Sequence, residues 1–208
     1  MEDELLNIFD QNRNLIGVAT RKEVHRLGYW HETFHCWFVS NESGIEYIYM
    51  QIRSNNKRDY PNLIDITAAG HLLANESVED GVREIAEELG FEIEFKELIS
   101  LGTIKYSVNK NQFIDNEIAH VFLYKSEHKF ADYRLQKEEA SGIVKAKLSD
   151  FSKLWSDEKS EILIEGFEID HEGRRSFFSK QVNKSAFVPH ETSYYESITK
   201  GAASNLHA

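Results

Sequence analysis

The segment Arg83-Glu84-Ile85-Ala86-Glu87-Glu88-Leu89-Gly90-Phe91 limits the options of this chain most severely. Positions i, i+3 and i+4 of a helix share one face, so Glu84, Glu87 and Glu88 stand together. Val78, Val82, Ile85 and Leu89 form an apolar stripe on the opposite side. Ser77 with Asp80 reads as an N-cap and a shortened capping box, and Gly90 as the left-handed residue that ends the helix. Like charges this close repel unless a cation lies among them, so the trio asks for a divalent metal with hard oxygen ligands, magnesium or manganese. A solvated acidic face has the same pattern. Two neighbours favour the metal: Arg83 reaches Glu79 or Glu87 one turn away, and Gly70 to Glu76 is a glycine loop ending in another acid.

The segment resembles the Nudix box, whose pattern is glycine, five residues, glutamate, seven residues, then arginine-glutamate-hydrophobe-any-glutamate-glutamate-any-glycine-hydrophobe. Residues 83 to 91 match throughout; Gly70 and Glu76 match the first half, but six residues separate Glu76 from Arg83 instead of seven. The resemblance implies that Glu84, Glu87 and Glu88 bind Mg2+ or Mn2+, that Gly70 and His71 belong to the substrate loop, and that Arg83 is part of the catalytic box. The shortened spacing leaves the role of Glu76 open. Nudix hydrolases cleave a diphosphate joined to another moiety, often a nucleoside, with metal ions that neutralise phosphate oxygens and activate water. The chain is thus expected to be a pyrophosphohydrolase acting on a small-molecule diphosphate. A carboxylate inside the box, such as Glu87 or Glu88, or one outside it accepts the proton.

A narrower resemblance covers about the first two thirds of the chain. Phe9 to Arg21, Glu23-Val24-His25, Tyr29-Trp30-His31, Asp65 to His71 and Ile114 to Phe122 are similar to isopentenyl-diphosphate-isomerase-like Nudix proteins. In true isomerases a catalytic cysteine stands where this chain has Ala69, so hydrolysis is preferred over isomerisation or a noncatalytic binding role. Tyr106 falls where the isomerases carry a catalytic tyrosine. His25, His31 and His71 fall at or near the isomerase metal ligands, although a single histidine is as readily a hydrogen-bonded structural residue. Glu117 is the stronger catalytic candidate, because a charge inside the apolar run Ile114 to Phe122 is costly unless paired or metal-bound; an edge strand facing water is the other reading.

Arg53, at the end of a strand before the basic turn Ser54 to Pro61, is a candidate diphosphate clamp. Glu138 and Glu139, just before a returning strand, are each candidates for the water-activating base. Strand patterns at Phe34 to Ser40 and Glu46 to Arg53, turning at Asn41 to Gly44, and at Ile99 to Val108 and Phe113 to Tyr124, turning at Asn109-Lys110-Asn111, flank the acidic helix. They predict an α/β fold, an α/β/α sandwich around a mixed sheet, which is also the Nudix fold. Residues 1–155 are expected to form the Nudix domain. Residues 156–208 are expected to be a C-terminal extension on the same domain, in which the aromatic run Phe187 to Tyr195 walls a pocket or packs a helix and Gly201 to Ala208 frays.

The net charge of −11, from 24 basic and 35 acidic residues, argues against nonspecific nucleic-acid binding. No apolar run is long enough to span a bilayer, and the start lacks a basic n-region, so no membrane partner and a cytoplasmic location are expected. The single cysteine, Cys36, allows no internal disulfide. A homodimer is left open.

Overall fold

The computed structural model describes residues 2–110 and 113–206. Its strands are β1 Leu5–Phe9, β2 Leu15–Thr20, β3 Trp30–Glu42, β4 Ile45–Arg53, β5 Ile64–Asp65, β6 Ala68–His71, β7 Ile99–Lys110, β8 Phe113–Lys125, β9 Ala140–Lys147, β10 Ile162–Ile169 and β11 Arg175–Val182. The helices are α1 Arg21–Leu27, α2 Arg83–Leu89, α3 Leu148–Trp155 and α4 Thr192–Leu206. One mixed sheet runs β11-β10-β9-β4-β3-β1-β2, with β6 and β8 also pairing on β3. The β3/β8 pairing is parallel and the others are antiparallel.

Period-two alternation sends β3 residues to two cores: Phe34, Cys36 and Phe38 pack with Ile85 and Leu89 of α2, whereas Trp37 and Val39 pack with Phe151 and Trp155 of α3 and Tyr194, Tyr195 and Ile198 of α4. The sheet is therefore covered on both sides, as the expected sandwich requires. Cys36 is fully buried as a packing residue.

Several boundaries differ from expectation. The β3/β4 hairpin zips beyond Asn41 to a tight turn at Ser43 and Gly44, whose φ values of 53° and 85° suit a two-residue primed turn. Strand β7 continues through Lys110, and Asn111 of the expected turn lies outside the described residues. Lys147 is the N-cap of α3 without a side-chain bond, and Asp150 in its first turn accepts from Lys159 Nζ at 2.6 Å. In the C-terminal stretch, β10 pairs with β9 and extends the sheet. The stretch from Gly201 to Leu206 is helical, with Ala202 buried and Gly201 against Leu101, where an added Cβ would come within 2.7 Å. His207 and Ala208 lie outside the described residues.

Candidate active site

Ser77 and Asp80 do pair, Ser77 N–H donating to Asp80 Oδ2 at 2.8 Å and Asp80 N–H to Ser77 Oγ at 3.4 Å. Ser77 is not the N-cap, however: Val78 precedes a 3-10 turn, Glu79–Val82, and Val82 precedes α2, neither with a side-chain cap bond. Gly90 closes the helix at φ 81° and donates to Ala86. Beyond it, the N–H groups of Arg134 and Gln136 donate to the carbonyls of Leu89 and Glu88, so the chain runs along the helix end and delivers Glu138 and Glu139 beside the acids. Ser54 ties the basic loop to the same place, donating from its N–H to Glu139 O at 2.9 Å and from Oγ to Lys137 O at 2.8 Å.

These elements frame a cavity of about 650 Å³ lined by Glu84, Glu87 and Glu88, by Arg53, Lys57, Gly70, His71, Arg83 and Glu117, and by Glu138 and Glu139. The candidate residues read from the sequence thus reach one space, except His31, which is fully buried behind it. Their environments differ. Glu88 is buried and accepts from Ala69 N–H at 3.1 Å and Gln51 Nε2 at 3.2 Å; burial and then the nearby Glu84 carboxylate push its acid well above the usual range. Glu84 is pushed up to about 7, chiefly by burial, with Arg83 opposing and Glu87 adding to the shift. Glu87 is exposed, as is Glu138, whereas Glu139 is half-buried, pairs with Lys57 and acts electrostatically on both Glu84 and Glu88. Glycine at position 70 lets the Glu84 carboxyl keep this place: a Cβ there would fall 2.1 Å from its carboxyl carbon and displace it.

The arginines are already engaged. Arg83 forks onto Glu76 at 2.5 and 3.0 Å, reaches Glu84 at 2.8 Å and Glu87 at 3.2 Å, and donates to His71 O at 3.2 Å. The one-residue shortening therefore leaves Glu76 as an anchor for Arg83, with a further bond from Leu73 N–H at 2.8 Å. Arg53 donates to Asp65 at 2.7 Å and to Asp59 O at 2.8 and 3.1 Å. Although burial works the other way, bonds from His190 and the Arg53 charge hold Asp65 below the ordinary carboxylate range.

Sequence reasoning undervalued a second cluster. Sheet register sets His31 of β3 opposite Glu117 of β8 and Thr33 opposite His71 of β6, while α1, capped by Thr20, brings in His25. One ligand atom from each of His25, His31, His71 and Asp115 lies within 4.8 Å of the others. The Nδ1 atoms of His25 and His31 meet the carbonyls of Arg21 and Tyr29 at 2.8 and 3.1 Å, so each ring carries its proton there and turns the Nε2 lone pair inward. Those Nε2 atoms stand 3.3 and 3.4 Å from Asp115 Oδ1. His31 Nε2 and Asp115 Oδ1 are buried without a hydrogen bond. Lone pairs converging on a carboxylate oxygen repel, and a divalent cation would satisfy all of them. Burial lowers the His31 and His71 pKa values, keeping the rings in the neutral form that ligates, and raises that of Asp115. The signal lay in the alternation His31-x-Thr33-x-His35 and Asp115-x-Glu117, which puts each set on one face of its strand.

No protein-family model matches the chain. An uncharacterised Nudix hydrolase of Clostridium acetobutylicum is 41% identical over 96% of this chain and 97% of its own length. Nudix hydrolase 3 of Arabidopsis thaliana is 32% identical over 69% of this chain but 19% of its own length. Isopentenyl-diphosphate Delta-isomerase 2 of Photorhabdus laumondii is 29% identical over 58% of this chain and 66% of its own. Among solved structures, one from Deinococcus radiodurans superposes with a TM-score of 0.57 at 17% identity, over 74% of this chain and 90% of that one, a likeness of fold.

Proposed function

The chain belongs to the Nudix hydrolases, and from that premise we propose that it cleaves a small organic diphosphate by water attack on phosphorus, with divalent cations held by two clusters of its own side chains. The observation that carries this reading is the convergence of Glu84, Glu87 and Glu88 with the His25, His31, His71 and Asp115 group around one cavity. Both donor sets fit a cation: one collects carboxylates whose burial disfavours their charge, the other collects inward lone pairs. The carboxylates suit Mg2+ or Mn2+, and the histidines suit a softer divalent ion or Mn2+. Bound there, a cation supplies charge neutralisation for the phosphate oxygens and acidifies a water.

The remaining roles fall to the chain itself. Lys57, paired with Glu139, and Arg53 face the cavity and bind phosphate oxygens once these enter. Arg83 holds the glycine loop against α2 through Glu76 and His71 O and so positions Glu84 and Glu87. We place the proton acceptor at Glu139 in preference to Glu138, because Glu139 is half-buried beside the box acids and Glu138 is exposed. Glu117 serves as a cation-facing carboxylate on the far side. Ala69 offers no proton, which supports hydrolysis over double-bond isomerisation.

Among the described residues no helix is long and apolar enough to cross a membrane. The reading has a small-molecule diphosphate as partner, without nucleic acid, in the cytoplasm.

The test is incubation with Mg2+ or Mn2+ and a panel of nucleotide sugars, dinucleotides, thiamine diphosphate and isopentenyl diphosphate in 18O-labelled water. Cleavage with label on a phosphate product is the expected result. Isomerised isopentenyl diphosphate without phosphorus–oxygen cleavage would overturn it.

A further inference from the structure

The carboxylate of Glu117 is held in an unusual way. Tyr106 OH, Thr33 Oγ1 and His35 Nε2 approach at 2.6, 2.9 and 3.1 Å, and all three meet Oε2. Among the described residues, every donor to this side chain falls on that one oxygen, so Oε1 is left for the cavity that Glu117 lines. Glu117 stands beside His31 in the β3/β8 register and lines the same cavity as His25, His71 and Asp115, so the cavity side of this carboxylate is the side of the histidine cluster.

Which nitrogen of His35 carries the proton follows from its neighbours. Trp37 Nε1–H can only donate, and it donates to Tyr194 OH at 3.1 Å. The same tyrosine oxygen lies 2.8 Å from His35 Nδ1. The Glu117 carboxylate 3.1 Å from Nε2 can only accept, so Nδ1 of the neutral ring is the acceptor and Tyr194 OH donates to it while accepting from Trp37. That leaves the imidazole proton on Nε2, pointing at Glu117 and within 3.3 Å of Thr33 Oγ1. The chain of donors is then directional from Trp37 through Tyr194 and His35 to Glu117, and each hydrogen has an acceptor. All six residues of this network, Thr33, His35, Trp37, Tyr106, Glu117 and Tyr194, are buried. Tyr194 belongs to α4, in the C-terminal stretch that the box motif does not cover.

The geometry points to Tyr194 as a positioning residue: by donating to His35 Nδ1 it fixes the imidazole proton on Nε2, and so fixes which oxygen of Glu117 faces the histidine cluster. This rests on the reading of Glu117 as a cation-facing carboxylate. It also gives α4 a part in the site, because the hydroxyl that sets the tautomer is supplied from outside the sheet.

The test needs no substrate. Imidazole 15N resonances of the whole chain are expected to show His35 as the Nε2–H tautomer, and Tyr194→Phe to convert it to a mixture; a native Nδ1–H tautomer would overturn the inference. Co2+ added alone is then followed by its d–d absorption and by the shifted resonances of His25, His31 and His71, which separate this cluster from the α2 carboxylates. Tyr194→Phe should weaken Co2+ binding by about tenfold or more, in the range known for residues behind metal ligands. In a His35→Gln background, which keeps an N–H near the Nε2 position and has no Nδ1, Tyr194→Phe should weaken binding no further. Weakening that persists in that background would mark Tyr194 as mere packing and refute the assignment. Glu117→Gln separates the two levels: if it weakens Co2+ binding while Tyr194→Phe does not, this inference alone falls. If Glu117→Gln binds Co2+ like the native chain, the reading of Glu117 falls too.

Discussion

Glu84 offers the most quantitative check on the candidate metal site. Its side chain is 12% exposed and its acid is raised from 4.5 to about 7, with burial as the main cause. A carboxyl raised on folding binds protons more tightly in the folded chain, so without metal the stability falls as pH rises from about 4.5 to about 7 and stays low above that window. The interval corresponds to a cost of about 3 kcal/mol at pH 8. Glu84→Gln mimics the protonated acid and removes that cost, so in EDTA at pH 8 the variant should unfold roughly 6–12 °C higher than the native chain. At pH 4 the two should melt nearly together. Magnesium should then raise the native melting temperature and leave the variant nearly unmoved, because a ligand that binds only the folded state stabilises it with the logarithm of its concentration over Kd, and the variant has lost a ligand. Thermal unfolding by circular dichroism at both pH values, with and without Mg2+, measures all four numbers. A variant no more stable than the native chain at pH 8 in EDTA would refute the argument that Glu84 is an uncompensated buried acid awaiting a cation.

Gly70→Ala puts a Cβ 2.1 Å from the Glu84 carboxyl and must displace it; turnover of the best panel diphosphate is expected to fall about a hundredfold, whereas a change of only a few fold would show that this approach does not matter. Trp155 stacks on Tyr195 at 3.7 Å between centroids and is 5% exposed, so Trp155→Ala should lower stability by about 3–5 kcal/mol in urea titration; a loss below 1 kcal/mol would contradict the packing of α4 on α3.

The acidic helix was legible because its signals are local. The Ser77/Asp80 pair, the stop at Gly90, the three acids and the apolar stripe all depend on residues within a few turns, and the strand patterns of β3, β4, β7 and β8 likewise announced a mixed sheet between helices. The C-terminal strands escaped notice because β10 and β11 carry exposed polar and apolar residues without a clean period; β9 pairs with β10, and β10 in turn with β11, and that pairing supplies the order.

From the chain of residues alone came the Nudix resemblance, the α/β class and the set of acids, since each rests on spacing along one element. The tertiary structure alone decided that Arg53 and Arg83 are held by Asp65 and Glu76, that Glu139 approaches the box acids while Glu138 stays exposed, and that three histidines from three elements meet Asp115. It also decided that a tyrosine near the end of the chain aims His35 at Glu117. The reason is physical: proton placement and lone-pair direction depend on which groups the sheet register and the packing of helices bring within hydrogen-bond distance. Residues 159 positions apart carry no local trace of that meeting.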